Sequence, residues 1–190
     1  CPVVTYPISL GWLRDSRDSA LVPTRGVMAR AYSEVVPSGA AQYIRYGASY
    51  QQYIPLSKAY SLAFNADLGL GQSLNGGTFP VFKNYYAGGL GSVRGFAQGT
   101  LGPRDVTGVV TGGPKRLVLN GEVYAPFPGA GNDKTLRLYG FLDAGNVFAH
   151  DEQISFKDLR SAYGLGLSWV SPMGPLRFAW AKPVRSFTGD

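Results

Sequence analysis

The run Ser161-Ala162-Tyr163-Gly164-Leu165-Gly166-Leu167-Ser168-Trp169-Val170 decides the fold. Tyr163, Leu165, Leu167 and Trp169 recur at every second position, and Ala162, Gly164, Gly166 and Ser168 fill the positions between. Successive side chains of a β-strand point to opposite faces, so this strand has one bulky apolar surface and one that is nearly bare. A strand of a soluble sandwich would carry charges on its second face. Small residues there instead leave room for something inside a lumen.

The same alternation extends outward in both directions. Leu136, Leu138 and Leu142 oppose Arg137, Tyr139, Phe141 and Asp143; Leu117, Leu119 and Val123 oppose Val118, Asn120, Glu122 and Tyr124; Leu176, Phe178 and Trp180 oppose Arg177, Ala179 and Ala181. Further strands are expected at Val4–Trp12, Gly26–Val35, Tyr43–Ile54 and Tyr60–Leu70. About eight strands of roughly ten residues result, the length a tilted strand needs to cross a bilayer. Short turns are signalled at Pro37-Ser38-Gly39, Pro55-Leu56-Ser57, Pro126-Phe127-Pro128-Gly129 and Ser171-Pro172-Met173-Gly174, and longer loops at Asp15–Arg25, Leu74–Pro114 and Phe148–Asp158. Short and long connections are thus expected to alternate between the two ends of an antiparallel transmembrane barrel. Trp12, Tyr53, Trp169 and Trp180 suit interfacial girdles.

Composition agrees with an all-β membrane class. The 190 residues include 26 Gly, 13 Pro, 12 Tyr and 10 Phe, and only 16% are charged, against a usual quarter or so. Mean hydropathy is close to zero, as when apolar outward residues and polar inward residues cancel. No apolar run is long enough for a transmembrane helix. The net charge of +6 comes from scattered single Lys and Arg residues without a basic run, which argues against nucleic acid as a partner. The opening Cys-Pro-Val-Val-Thr-Tyr has no basic region or cleavage site of a signal peptide. Cys1 is the single cysteine, so no internal disulfide forms, and His150 has no histidine or cysteine partner for a metal. No cofactor is implied. Lone serines without a histidine partner give no catalytic triad, and an enzyme is not expected.

Between the fourth and fifth strands lies the longest connection, 74–114. It contains Phe79-Pro-Val-Phe-Lys-Asn-Tyr-Tyr-Ala-Gly-Gly-Leu-Gly-Ser-Val-Arg-Gly-Phe96, a glycine- and aromatic-rich stretch with one arginine, Arg94, framed by Val93, Gly95 and Phe96. Gly88-Gly89-Leu90-Gly91 is not a phosphate loop, because no Gly-Lys-Ser/Thr follows. Glu122 and Asp143 fall on the polar faces of their strands. An isolated charge in a barrel interior is costly, so these carboxylates need a cation, and the planar fork of arginine suits them better than lysine.

Tyr85-Tyr86-Ala87-Gly88-Gly89, Ser92-Val93-Arg94-Gly95-Phe96 and Leu101-Gly102-Pro103 together resemble the long extracellular loop of the BamA family of outer-membrane protein assembly factors. Asn120-Gly121-Glu122-Val123, Phe141–Phe148, Tyr163–Val170, Ser171–Leu176 and Ala181-Lys182-Pro183 continue the resemblance over most of the chain. It implies a barrel of about sixteen strands of which residues 1–190 are one partial domain, supplying about strands eight to fifteen. The periplasmic POTRA repeats and an aromatic-ended last strand, after Thr188-Gly189-Asp190, are lacking. It also implies that the loop folds back into the barrel, with Arg94 latched by Glu122 and Asp143 and with Gly91 and Gly95 allowing close backbone approach. Outer-membrane lipid, client β-barrel proteins and accessory assembly lipoproteins are the implied partners, with self-association through open strand edges as a further one. Two alternatives stand beside this reading: a TamA-type or two-partner-secretion transporter of the same superfamily, and a small, self-closed, porin-like barrel of about eight strands.

Overall fold

The computed structural model describes residues 5–39, 41–129 and 135–186. Cys1, the start of the expected strand at Val4 and the terminal Thr188-Gly189-Asp190 lie outside the described residues. The strands are β1 (Ile8–Asp15), β2 (Gly26–Val36), β3 (Tyr43–Pro55), β4 (Ser61–Ser73), β5 (Lys115–Pro126), β6 (Leu136–Phe148), β7 (Arg160–Ser171) and β8 (Gly174–Arg185). They form one antiparallel meander in the order β1-β2-β3-β4-β5-β6-β7-β8. β1 and β8 do not pair with each other, so the sheet is open and the self-closed eight-stranded barrel is excluded for this arrangement.

Alternation sets the two faces as the sequence implies. Leu142, Leu165, Phe178 and Trp180 are exposed on the outer face, while Tyr139, Phe141, Asp143 and Ala162 are buried on the inner one. The bare face of β7 has a definite use. A Cβ at Gly164 would stand 2.6 Å from the Phe141 ring, and one at Gly166 would stand 2.3 Å from the Tyr139 ring. Phe141 and Tyr139 are the β6 partners of these two glycines in the ladder, so each ring lies over its neighbour. With Ala63, Tyr124 and the half-buried Tyr53 they form one inner cluster. Tyr53 therefore faces inward and belongs to no outer girdle, because its register with the inward Ala63 fixes its parity.

Connections in a meander fall alternately at the two ends of the sheet. Residues 16–25, 56–60 and the Pro172-Met173 turn share one end; 37–42, 74–114 and 149–159 share the other. The expected segregation of short from long fails twice: the short turn at Pro37-Ser38-Gly39 lies at the end of the long loops, and the Asp15–Arg25 connection lies at the end of the tight turns. It is an ordered loop. Asp18 accepts from the Thr24 amide at 2.9 Å and the Arg25 amide at 3.1 Å, and the buried Pro23 offers its carbonyl to Arg137 of β6 at 3.5 Å. A contact between the first connection and the sixth strand requires the sheet to curl, which makes the inner face concave.

Candidate functional site: the Arg94 cluster in the lumen

The 74–114 connection folds back onto the inner face. Its first part stands on β3 and β4. Phe79 covers Gly71, where a Cβ would meet the ring at 2.5 Å, and Tyr85 covers Gly69, where the distance would be 2.7 Å. Phe79 also meets Tyr43 edge-on at 5.7 Å. The Tyr85 hydroxyl donates to the Tyr46 carbonyl at 2.8 Å. Beyond this anchor the chain turns at Gly88 and Gly89, whose φ values of 109° and 90° are left-handed and favour glycine. The Gly89 amide donates to the carbonyls of Val93 and Phe96, each at 3.1 Å, which closes the turn that presents Arg94.

Each residue of Val93-Arg94-Gly95-Phe96 has its own seat. Val93 is fully buried with Ala87, Leu101, Val118 and Val147, and Phe96 packs against that cluster. Gly145 of β6 makes room for it, since a Cβ there would be 2.7 Å from Val93. Gly95 has φ +92° and lies over Ala162 and Ala181. Gly91, in contrast, has open space around it, so the close approach expected there belongs to Gly95.

Arg94 is the centre of the polar cluster. Its Nε donates to Asp143 Oδ2 at 2.7 Å and its Nη2 to Asp143 Oδ1 at 2.6 Å, a forked pair, and its backbone amide donates to Oδ2 at 3.0 Å. Nη1 donates to Glu122 Oε1 at 2.5 Å. The guanidinium lies 3.7 Å from the Phe141 ring centroid, a cation–π contact on a desolvated face. Asp143 is fully buried and accepts a fourth bond from Asn120 Nδ2 at 2.9 Å. Asn120 sits directly opposite Asp143 in the ladder; its Nδ2 also donates to the Ser92 carbonyl at 2.7 Å, and its Oδ1 accepts from Asn65 at 2.8 Å. Burial opposes the Arg94 charge, but the hydrogen bonds to Asp143 and the charges of Glu122 and Asp143 outweigh it. The guanidinium is held above the ordinary arginine value and stays charged.

One member of the cluster is absent from the sequence reading. Arg177 of β8 donates through Nη2 to both Glu122 oxygens at 3.0 Å and lies 4.6 Å from the Tyr139 ring centroid. Tyr124 donates its hydroxyl to Glu122 Oε2 in a short bond. Two arginines, the buried Arg94 and the partly exposed Arg177, thus face two carboxylates. Parity placed Arg177 on the inner face, but β6 and β7 stand between it and Glu122. Only curvature, and the small residues of β7 under its path, bring the two together.

The chain matches the Omp85 superfamily domain over residues 3–190. It belongs to that superfamily. Among known proteins this Omp85 chain is similar to the outer membrane protein assembly factor BamA of Neisseria meningitidis serogroup B, at 35% identity over 97% of the chain and 27% of the relative. It is also similar to BamA of Nitratidesulfovibrio vulgaris, at 31% identity over 90% of the chain and 22% of the relative. The crystal structure of BamA from Haemophilus ducreyi lacking POTRA domains 1–3 superposes with a TM-score of 0.90 at 28% identity, covering 97% of this chain and 40% of that one. The chain therefore spans about a quarter of the length of the BamA relatives, and its open Omp85 sheet overlays part of a larger barrel.

Proposed function

We propose that this Omp85 sheet is part of the barrel of an outer-membrane assembly factor, which folds β-barrel proteins and inserts them into the outer membrane. The Arg94 cluster is then the latch that keeps the 74–114 connection seated in the lumen. The observation that carries the reading is the forked, fully buried Arg94–Asp143 pair in a chain that aligns with BamA along nearly its whole length. Such a pair adds little net stability, because desolvation offsets attraction. It strongly disfavours any arrangement that strands one partner, so it selects one position of the loop.

In this reading residues 1–190 are a partial barrel domain, and further strands of the same barrel complete the free edges of β1 and β8. Client β-barrel proteins add strands by edge pairing, outer-membrane lipid contacts the exposed apolar face, and accessory lipoproteins join the intact assembly. No step requires a catalytic group or cofactor.

The test is Arg94→Ala in the intact protein, read out by client insertion into proteoliposomes and by protease resistance of the loop. Lower insertion together with a cleavable loop is expected. Wild-type insertion with a protected loop would remove the latch. Wild-type insertion with a cleaved loop would leave the cluster as a structural device without a role in assembly.

A further inference from the structure

Beside the Arg94 cluster, on the β2–β5 part of the lumen, lies a cavity of about 370 Å³ lined by Arg30, Tyr32, Arg45, Ser49, Asp67 and Arg116. Its charges do not cancel. Asp67 is bound by Arg116 Nη2 in a short ion pair. Glu34, the carboxylate beside Arg45 on the neighbouring strand, is engaged by Lys83 Nζ and the Tyr43 hydroxyl, both at 2.8 Å. Three guanidinium groups against one carboxylate leave a surplus of two positive charges. The Nε atoms of Arg45 and Arg116 are buried and have no hydrogen-bond partner among the described residues. Buried donors of that kind are rare in native proteins.

The cavity is also held in shape. The Arg45 guanidinium lies 4.4 Å from the Tyr85 ring centroid and 5.8 Å from that of Tyr32, and the Arg116 guanidinium lies 5.3 Å from Tyr85. The Tyr32 and Tyr85 hydroxyls meet at 3.2 Å, and the Tyr32 ring lies against Gly47. Arginines stacked on fixed rings lose little further freedom on binding.

We infer that the cavity formed by Arg30, Arg45 and Arg116 is a binding site for a phosphate-class oxyanion. Arg116 is held by Asp67 and the Tyr86 carbonyl and keeps its Nε, so the forks of Arg30 and Arg45 with that Nε suit a tetrahedral group with three or more acceptor oxygens better than a planar carboxylate, which one fork satisfies. The surplus of two charges matches a dianion, and the volume leaves room for a small substituent on the phosphate. A soluble phosphate ester and a phospholipid headgroup share this chemistry. The site is separate from the proposed latch, because Arg94, Glu122 and Asp143 do not line it.

The test uses the intact protein in a phosphate-free maltoside detergent. Calorimetric titration with inorganic pyrophosphate at low salt is expected to show saturable binding that weakens as salt is raised. Arg30→Gln with Arg45→Gln should weaken it by at least about tenfold while the barrel stays folded by heat-modifiable gel migration. If that variant does not fold, Arg45→Lys, which keeps the charge and loses the fork, should still weaken binding several-fold. Native mass spectrometry separates the sources. Phospholipid retained by the wild type and lost from the variant assigns a headgroup, whereas pyrophosphate binding without retained lipid assigns a soluble ester. Absence of both, or equal pyrophosphate binding by wild type and folded variant, would overturn the site.

Discussion

The 74–114 connection is anchored twice, and the two anchors use different physics. On β3 and β4, Phe79 and Tyr85 lay rings over Gly71 and Gly69. On β5, β6 and β8, Arg94 joins Asp143, Glu122 and, through Glu122, Arg177. The first anchor is stabilised by shape and apolar contact, so its losses are graded. The second has no intermediate state. Asp143 has four bonds and no solvent to replace them, so removing Arg94 leaves a buried carboxylate without a cation, and removing Asp143 leaves Arg94 with Glu122 as its one acidic partner. A loop that rests on both is positioned by the rings and locked by the charges.

The largest expected effect tests the lock. Asp143→Ala removes the forked partner of Arg94, leaves it Glu122 alone, and should shift the balance toward the open loop by about 3–5 kcal/mol, read by hydrogen exchange at the Leu101 amide, which donates to the Ala87 carbonyl at 3.0 Å. Unchanged protection there would mean that the ring anchor alone holds the loop.

A smaller effect tests the rings. Gly69→Val places a side chain where Tyr85 lies and should cost about 1–3 kcal/mol by overpacking. The Tyr85 amide, bonded to the Gly113 carbonyl at 2.8 Å, reports it. If the anchors are independent, this change and Asp143→Ala add in the double variant, and a coupling above about 0.5 kcal/mol would show that they act as one unit.

The smallest effect lies at the opposite end of the sheet, where the 16–25 loop has no such lock. Asp18 loses some solvation, which raises its pKa, but hydrogen bonds from Thr24 and Arg25 outweigh this and bring the carboxyl from 3.8 to about 2. Its contribution to loop order is complete above the unfolded value and is lost as pH falls through the folded one. The Thr24 and Arg25 amides, with exchange rates taken relative to the intrinsic rate at each pH, should therefore be protected at pH 5 and lose that protection toward pH 2. Protection that does not change over that interval would remove Asp18 from the loop's support.

Much of this arrangement is legible in the chain itself. Period-two alternation gives the strands, because parity has only two outcomes and a buried or lipid-facing surface must be consistent along a strand. The same parity places Glu122, Asp143 and Arg177 inside. The bare face of Ala162, Gly164, Gly166 and Ser168 announces that something large lies over it, although not what. Tyr53, the Pro37-Ser38-Gly39 turn and the Asp15–Arg25 loop depart from the expectation for one shared reason: residue type and loop length are weaker signals than register and strand order.

The sequence by itself determined an antiparallel membrane-type sheet, its inward and outward faces, and a long loop whose arginine requires acidic partners. These are local properties, set by the two faces of a strand and the cost of an unpaired charge. Tertiary structure decided how far the sheet curls. That curl brings Arg177 across two strands to Glu122, seats Tyr53 among the inner aromatics, and gathers Arg30, Arg45 and Arg116 around one cavity. Separation across a curved sheet depends on its curvature as well as on register, and no spacing along the chain encodes it.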